Sequence, residues 1–125
     1  LDDVSHIYIT GATGNRTDHT IGNISLLMEY TRMFDLDSKG VMIEMISDSG
    51  TIFAINDTIE FECGQGRRVS IFTPDNSLKI KSEGLEYPTD DVVFDNWWKA
   101  TLNVAVQDNI RLEFSHRSLA LIMMN

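Results

Sequence analysis

The segment richest in reactive residue types is Gly11-Ala12-Thr13-Gly14-Asn15-Arg16-Thr17-Asp18-His19. It follows an apolar, β-branched run over residues 4–10. It precedes residues 18–34, in which Ile21, Ile24, Leu27 and Met28 recur at helical spacing. The pattern predicts strand, turn and helix. Glycines at such a turn let the backbone approach an anion closely, and the unpaired N–H groups of a helix start face it. Arg16 can fork onto phosphate oxygens. Asp18 can hold a hard divalent cation beside a phosphate, and His19 can donate to a phosphate or a base. By spacing alone the same residues also make a plain strand-to-helix turn with a capping Asp18 and a solvated Arg16. No Gly-Lys-Ser/Thr follows, so this is not a Walker-type loop.

Other candidate residues carry less. Cys63 has no second cysteine to pair with and reads as a small core residue. His6, His19 and His116 show no zinc-ligand spacing. Lys79 and Lys81 alternate with Leu78 and Ile80, as on the outward face of a half-buried strand. Trp97 and Trp98 are adjacent, so on an extended chain they point opposite ways, one to a core and one to an interface.

These residues need elements to position them. From residue 41 onward, short strand-like runs alternate with turns: 41–47, 51–56, 58–62, 67–73, 78–81, 101–106, 110–114 and 119–123. Asp48-Ser49-Gly50 and Gln107-Asp108-Asn109 read as hairpin turns. The expected fold is mainly β, an antiparallel β-sandwich of jelly-roll-like form or an open barrel. It is preceded by one strand-helix unit, which ends at the Asp35-Leu36-Asp37-Ser38-Lys39-Gly40 linker. A lone parallel-type strand over residues 4–10 would lack neighbours for its backbone groups. The chain opens at Leu1-Asp2-Asp3 without a basic or apolar leader. The expectation is therefore that further strands and helices lie upstream.

Composition bounds the function. The chain has 125 residues and a formal charge of −9, which argues against a phosphate-backbone binder and hence against nucleic acid as a partner. No apolar run reaches the roughly 18 residues of a membrane-spanning helix, so no membrane partner is expected. A single cysteine suits a reducing, cytoplasmic setting.

Residues 11–23 read GATGNRTDHTIGN. This stretch resembles the thiamine pyrophosphokinase family, whose bacterial members carry Gly-Ala-Thr-Gly-Gly-Arg-x-Asp-His-x-x-x-Asn. Asn15 stands where the family usually has a second Gly, and Asn tolerates positive φ better than most residues. Residues 80–91, IKSEGLEYPTDD, are similar to the family's Gly-Leu-x-Tyr-Pro loop. Ala100-Thr101-Leu102-Asn103 is placed like its Ser-x-x-Asn segment, with Ala100 replacing Ser.

The resemblance implies transfer of a pyrophosphoryl group from ATP to the hydroxyl of thiamine, with Mg²⁺, to give thiamine diphosphate and AMP. Gly11, Thr13, Gly14, Asn15, Arg16 and His19 would bind the nucleotide, and Arg16 and Asp18 would be catalytic. Asp18 would be the metal ligand or would orient the hydroxyl. Trp98, Thr101 and Asn103 would bind thiamine. The family works as a homodimer with active sites between subunits, so the chain is expected to dimerise through its sandwich. Residues 1–38 would be the last strand-helix unit of an α/β nucleotide-binding domain and 39–125 the thiamine-binding sandwich; most of the α/β domain would lie outside this chain, leaving it inactive alone. The competing reading is a non-catalytic β-sandwich module for thiamine or nucleotide binding, or for dimerisation.

Overall fold

A computed structural model describes residues 6–10, 24, 27–29, 42–47, 50–96 and 99–125. Among these lie nine strands: β1 (His6–Thr10), β2 (Met42–Ser47), β3 (Gly50–Ile55), β4 (Ile59–Glu62), β5 (Arg68–Phe72), β6 (Ile80–Glu83), β7 (Ala100–Val104), β8 (Asn109–Phe114) and β9 (Ala120–Met124). They form a six-stranded sheet, β1-β2-β3-β9-β5-β7, and a three-stranded sheet, β4-β8-β6. Every pair is antiparallel except β1–β2. The mainly β, antiparallel fold class expected from the sequence is the one observed.

Two cores hold the layers together. One lies between the sheets, where Phe53, Ile55, Val69, Ile71, Ile110, Leu112 and Ile122 meet. Phe53 and Phe61 pack edge to face across it, ring centres 5.4 Å apart. The other covers the opposite face of the large sheet. There Leu27, from the helical residues 27–29, meets Ile43, Met45, Ile52, Ala54 and Leu121. Strand neighbours point to opposite faces. In β3, Phe53 and Ile55 therefore enter the first core while Ile52 and Ala54 enter the second. Strand β9 divides the same way. This double burial explains why Ile52–Ile55 is one unbroken apolar run.

Two expectations need correction. The first strand is not without a neighbour, because β1 pairs in parallel with β2, Thr10 opposite Ile46. Leu27, between the two strands in sequence, packs on a face of the large sheet. Gln107-Asp108-Asn109 is not a hairpin. Strand β7 belongs to the large sheet and β8 to the small one, so these residues carry the chain from sheet to sheet. Backbone bonds at both ends hold the crossing: Ala105 N–H donates to Arg67 O at 2.9 Å, and Cys63 N–H donates to Asp108 O at 2.7 Å.

Candidate functional site

The edge of the large sheet at β7 is where the sequence-singled segments converge. Val69 of β5 pairs with Asn103, and Ile71 pairs with Ala100. Thr101 and Leu102 thus oppose the single residue Ser70, a β-bulge. Leu102 absorbs the extra length by adopting φ +63°. A leucine rarely takes that conformation, because its Cβ crowds the next carbonyl. The displaced Leu102 N–H donates to Ser70 Oγ at 3.1 Å. The side chain is left 79% exposed.

Beyond the bulge, Gly84-Leu85-Glu86-Tyr87 runs alongside β7. Val106 N–H donates to Gly84 O and Glu86 N–H donates to Val104 O, both at 2.8 Å. Leu85 bridges Ala105. Where main-chain pairing would come next, the Asn103 side chain takes over. Its Oδ1 accepts from Tyr87 N–H at 3.0 Å, and its Nδ2 donates to Tyr87 O at 2.6 Å. Oδ1 also accepts from Val104 N–H at 2.9 Å. Asn103 is only 4% exposed. Both acceptor positions of its oxygen and one of its two N–H donors are therefore used within the chain.

The far side of the loop is tied as firmly. Thr89, buried, donates from Oγ1 to Ile80 O at 2.7 Å. Thr89 N–H donates to Ser82 Oγ at 2.9 Å, and Ser82 N–H donates to Asp90 Oδ1 at 3.2 Å. Gly84, at φ +95°, is the corner where the chain leaves β6 for the large sheet. A Cβ there would sit 2.8 Å from Asn109 O. Between the two clamps Tyr87 is 62% exposed.

Of the sequence-predicted residues, Thr101 and Asn103 are thus at the β7 edge. Gly11, Thr13, Gly14, Asn15, Arg16, Asp18 and His19 lie outside the described residues, as does Trp98. Thr10, which leads into the glycine turn, is placed by register. Thr10 pairs Ile46, Ile46 pairs Thr51, Thr51 pairs Met124, Met124 pairs Val69 and Val69 pairs Asn103. Among the described strands, Thr10 and Asn103 therefore end one transverse row at opposite edges of the sheet. Five inter-strand steps separate them, about 24 Å at ~4.8 Å per step.

Among the described residues, no group of three or more His, Cys, Asp or Glu is placed to hold a metal. No described helix is long and apolar enough to cross a membrane. Cys63 is buried, and that burial pushes its thiol pKa up, with Arg67 partly opposing. What sequence reasoning missed is a polar cluster at the other end of the sandwich. Asp75 accepts from Ser77 Oγ at 2.6 Å, Ser118 Oγ at 2.7 Å, His116 Nε2 at 2.9 Å and Ser77 N–H at 2.9 Å. Those bonds, Ser77's foremost, hold its carboxyl well below the usual range. Asp75 and His116 are separated by 41 residues, and only the Asp-x-Ser turn motif at Asp75 signals part of it.

Comparison with known proteins agrees with this architecture. The chain is similar in structure to thiamine pyrophosphokinase from Bacillus subtilis, with 19% identity, TM-score 0.78, and coverage of 98% of this chain and 56% of that one. It is also similar to the enzymes from Geobacillus thermodenitrificans (19% identity, TM-score 0.77, 98% and 55% covered) and Candida albicans (16%, 0.76, 99% and 45%). It spans about half the length of these structures. No curated protein sequence matches it. Residues 50–120 match the model of the thiamin pyrophosphokinase substrate-binding domain. With more than half of its length matched, on a sandwich of the same fold, the chain belongs to the thiamin pyrophosphokinase substrate-binding domain family.

Proposed function

We propose that the protein carrying this chain transfers pyrophosphate from ATP to the hydroxyl of thiamine, giving thiamine diphosphate and AMP. In this reading residues 1–38 are the last strand-helix unit of its nucleotide-binding domain. Residues 39–125 are the thiamine-binding sandwich, and the remainder of the nucleotide domain lies upstream. The observation that carries the reading is continuity. The sheet of the substrate-binding family extends without a break to β1, and β1 runs directly into the Gly11–His19 motif. An anion-binding turn belongs at the carboxyl end of such a strand, where a helix begins.

The chemistry assigns roles. Transfer to an alcohol builds charge on the β-phosphoryl oxygens and on the leaving AMP, so catalysis rests on cations and positioned donors. Arg16 and the backbone of Gly11, Thr13, Gly14 and Asn15 hold phosphate oxygens, with His19 in support. Asp18 holds Mg²⁺ or orients the thiamine hydroxyl. When bound, Mg²⁺ neutralises phosphate charge. Thr101 and Asn103 at the β7 edge, with Trp98 just ahead of them in sequence, receive thiamine. The net charge of −9 favours a cationic substrate, and a single buried cysteine suits a cytoplasmic enzyme.

The transverse row supports a homodimer. About 24 Å of sheet lies between the strand end that leads into the phosphate turn and the β7 edge. That is far longer than one thiamine molecule, so one site using both draws them from two copies of the chain. The test is complementation in the intact protein. Asp18→Ala and Thr101→Arg variants, each inactive alone, regain activity when unfolded together and refolded as a mixture. Failure of mixtures to regain any activity, with both variants folded and dimeric, refutes the shared site. Unchanged turnover in Arg16→Ala and Asp18→Ala refutes the phosphate assignment.

A further inference from the structure

We propose that Ser115 is a nucleophile toward small activated esters, with His116 as its general base and Asp75 as the residue that positions the ring. None of these residues enters the pyrophosphoryl-transfer reading. The direction of the hydrogen bonds carries the assignment. Asp75 Oδ2 lies 2.9 Å from His116 Nε2, and Ser115 Oγ lies 3.0 Å from His116 Nδ1. A carboxylate only accepts, so Nε2 donates, and in the neutral ring Nδ1 keeps its lone pair. Ser115 Oγ already accepts from Lys79 N–H at 3.0 Å. Its own hydrogen is the one that bridges to Nδ1. The backbone is anchored to the same residue, since Ser115 N–H donates to Lys79 O at 2.9 Å. Ser77 and Ser118 give their hydroxyl hydrogens to Asp75 instead, so of the cluster's serines Ser115 is the one that faces the base.

A hydroxyl on an imidazole that a carboxylate orients is the nucleophile arrangement of acyl transfer, recognised by roles and geometry rather than by fold. Here the ring presents Nδ1 to the serine and Nε2 to the carboxylate. Ser115 and His116 are both exposed, so an acyl group reaches the oxygen from solvent. Activated esters fit such a site because their leaving group departs with little help. Ser115 Oγ bonds to the acyl carbon and its hydrogen passes to Nδ1. The carbon–oxygen bond to the leaving group breaks, and that group takes up the proton. Water then adds to the acyl-serine and gives a proton to Nδ1. The ester bond to Ser115 breaks, Oγ recovers the proton, and the carboxylic acid leaves. Asp75 remains a carboxylate throughout, holding Nε2–H and stabilising the charged ring.

The probe is p-nitrophenyl acetate, added to the intact protein carrying this chain. Nitrophenolate release, peptide mapping of the acetyl group and nitrogen NMR of the His116 ring are the readouts. The expected result is a burst of about one nitrophenolate per chain, followed by slower release. The acetyl group maps to Ser115, and mapping on the unmutated protein decides the site without any variant. His116→Gln slows acylation about a hundredfold. The neutral ring carries its hydrogen on Nε2 in the parent and in Ser115→Ala. Asp75→Asn mixes the two ring tautomers and slows acylation. Acetyl groups spread over lysines with none on Ser115 overturn the proposal, as does an acylation rate unchanged in His116→Gln. So does a neutral ring protonated at Nδ1, which could not take the Ser115 proton. An Asp75→Asn protein with the parent's tautomer and rate overturns the positioning role.

Discussion

Replacing Asp75 with Asn tests whether the polar cluster ties the two loops of one sandwich end together. The carboxylate accepts four bonds. Two come from Ser77 in its own turn, and two come from His116 and Ser118 on the β8–β9 connection. Asn keeps the shape but loses the charge, and turns an NH2 toward groups that themselves donate. A hydrogen bond to a charged group contributes roughly 1.5–3 kcal/mol. Asp75 is 28% exposed, so water recovers part of that, and bonds in one network do not add. The expected loss is about 2 kcal/mol, roughly a thirtyfold fall in the folded-to-unfolded ratio, out of the 5–15 kcal/mol typical of a domain. Urea unfolding at pH 7 reads it as a lower midpoint with unchanged slope. The pH dependence gives an independent check. Because the folded-state pKa is depressed, the stabilisation is complete above the unfolded value of about 3.9. It drains away as pH falls through that value toward the folded one. Asp75→Asn should therefore flatten the acid limb of the stability profile. A loss under 0.5 kcal/mol, roughly that of an ordinary surface change, or an unchanged acid limb, would refute the reasoning.

Three further outcomes follow from the geometry. Leu102→Asn should raise stability by about 0.5–1 kcal/mol, since Asn accepts positive φ and little burial is lost. A fall in the urea midpoint would contradict that. Gly84→Ala should cost about 2–4 kcal/mol, because φ is +95° and the new methyl meets Asn109 O. Thermal unfolding within a few degrees of the parent would show that the corner relaxes instead. Cys63, buried with a raised pKa, should react with iodoacetamide at pH 8 far more slowly in the folded protein than in urea. Equal rates would mean the thiol is open to solvent.

How much of this was legible from residues alone differs by element. Lys79 and Lys81 against Leu78 and Ile80 marked an inward and an outward side, and the structure buries the latter pair completely. Strand β8 shows the same alternation. The Gln107-Asp108-Asn109 turn misled because its polar residues suit a sheet crossing as well as a hairpin. The choice is made by distant partners, Arg67 and Cys63. Leucine is a poor advertisement for positive φ, so the bulge at Leu102 had no local signal. Asn103 was singled out, but only its neighbours in space reveal that its amide is committed to Tyr87. The Asp75 cluster joins residues too far apart for any spacing rule to find. The Gly11–His19 motif lies outside the described residues.

The central claim is pyrophosphoryl transfer to thiamine, and its most direct test is AMP release. The intact protein carrying this chain, supplied with Mg²⁺ and ATP, should form AMP only when thiamine is present, with thiamine diphosphate appearing in equal amount. A folded, intact protein that forms no AMP with thiamine, or forms it equally without thiamine, would contradict the account.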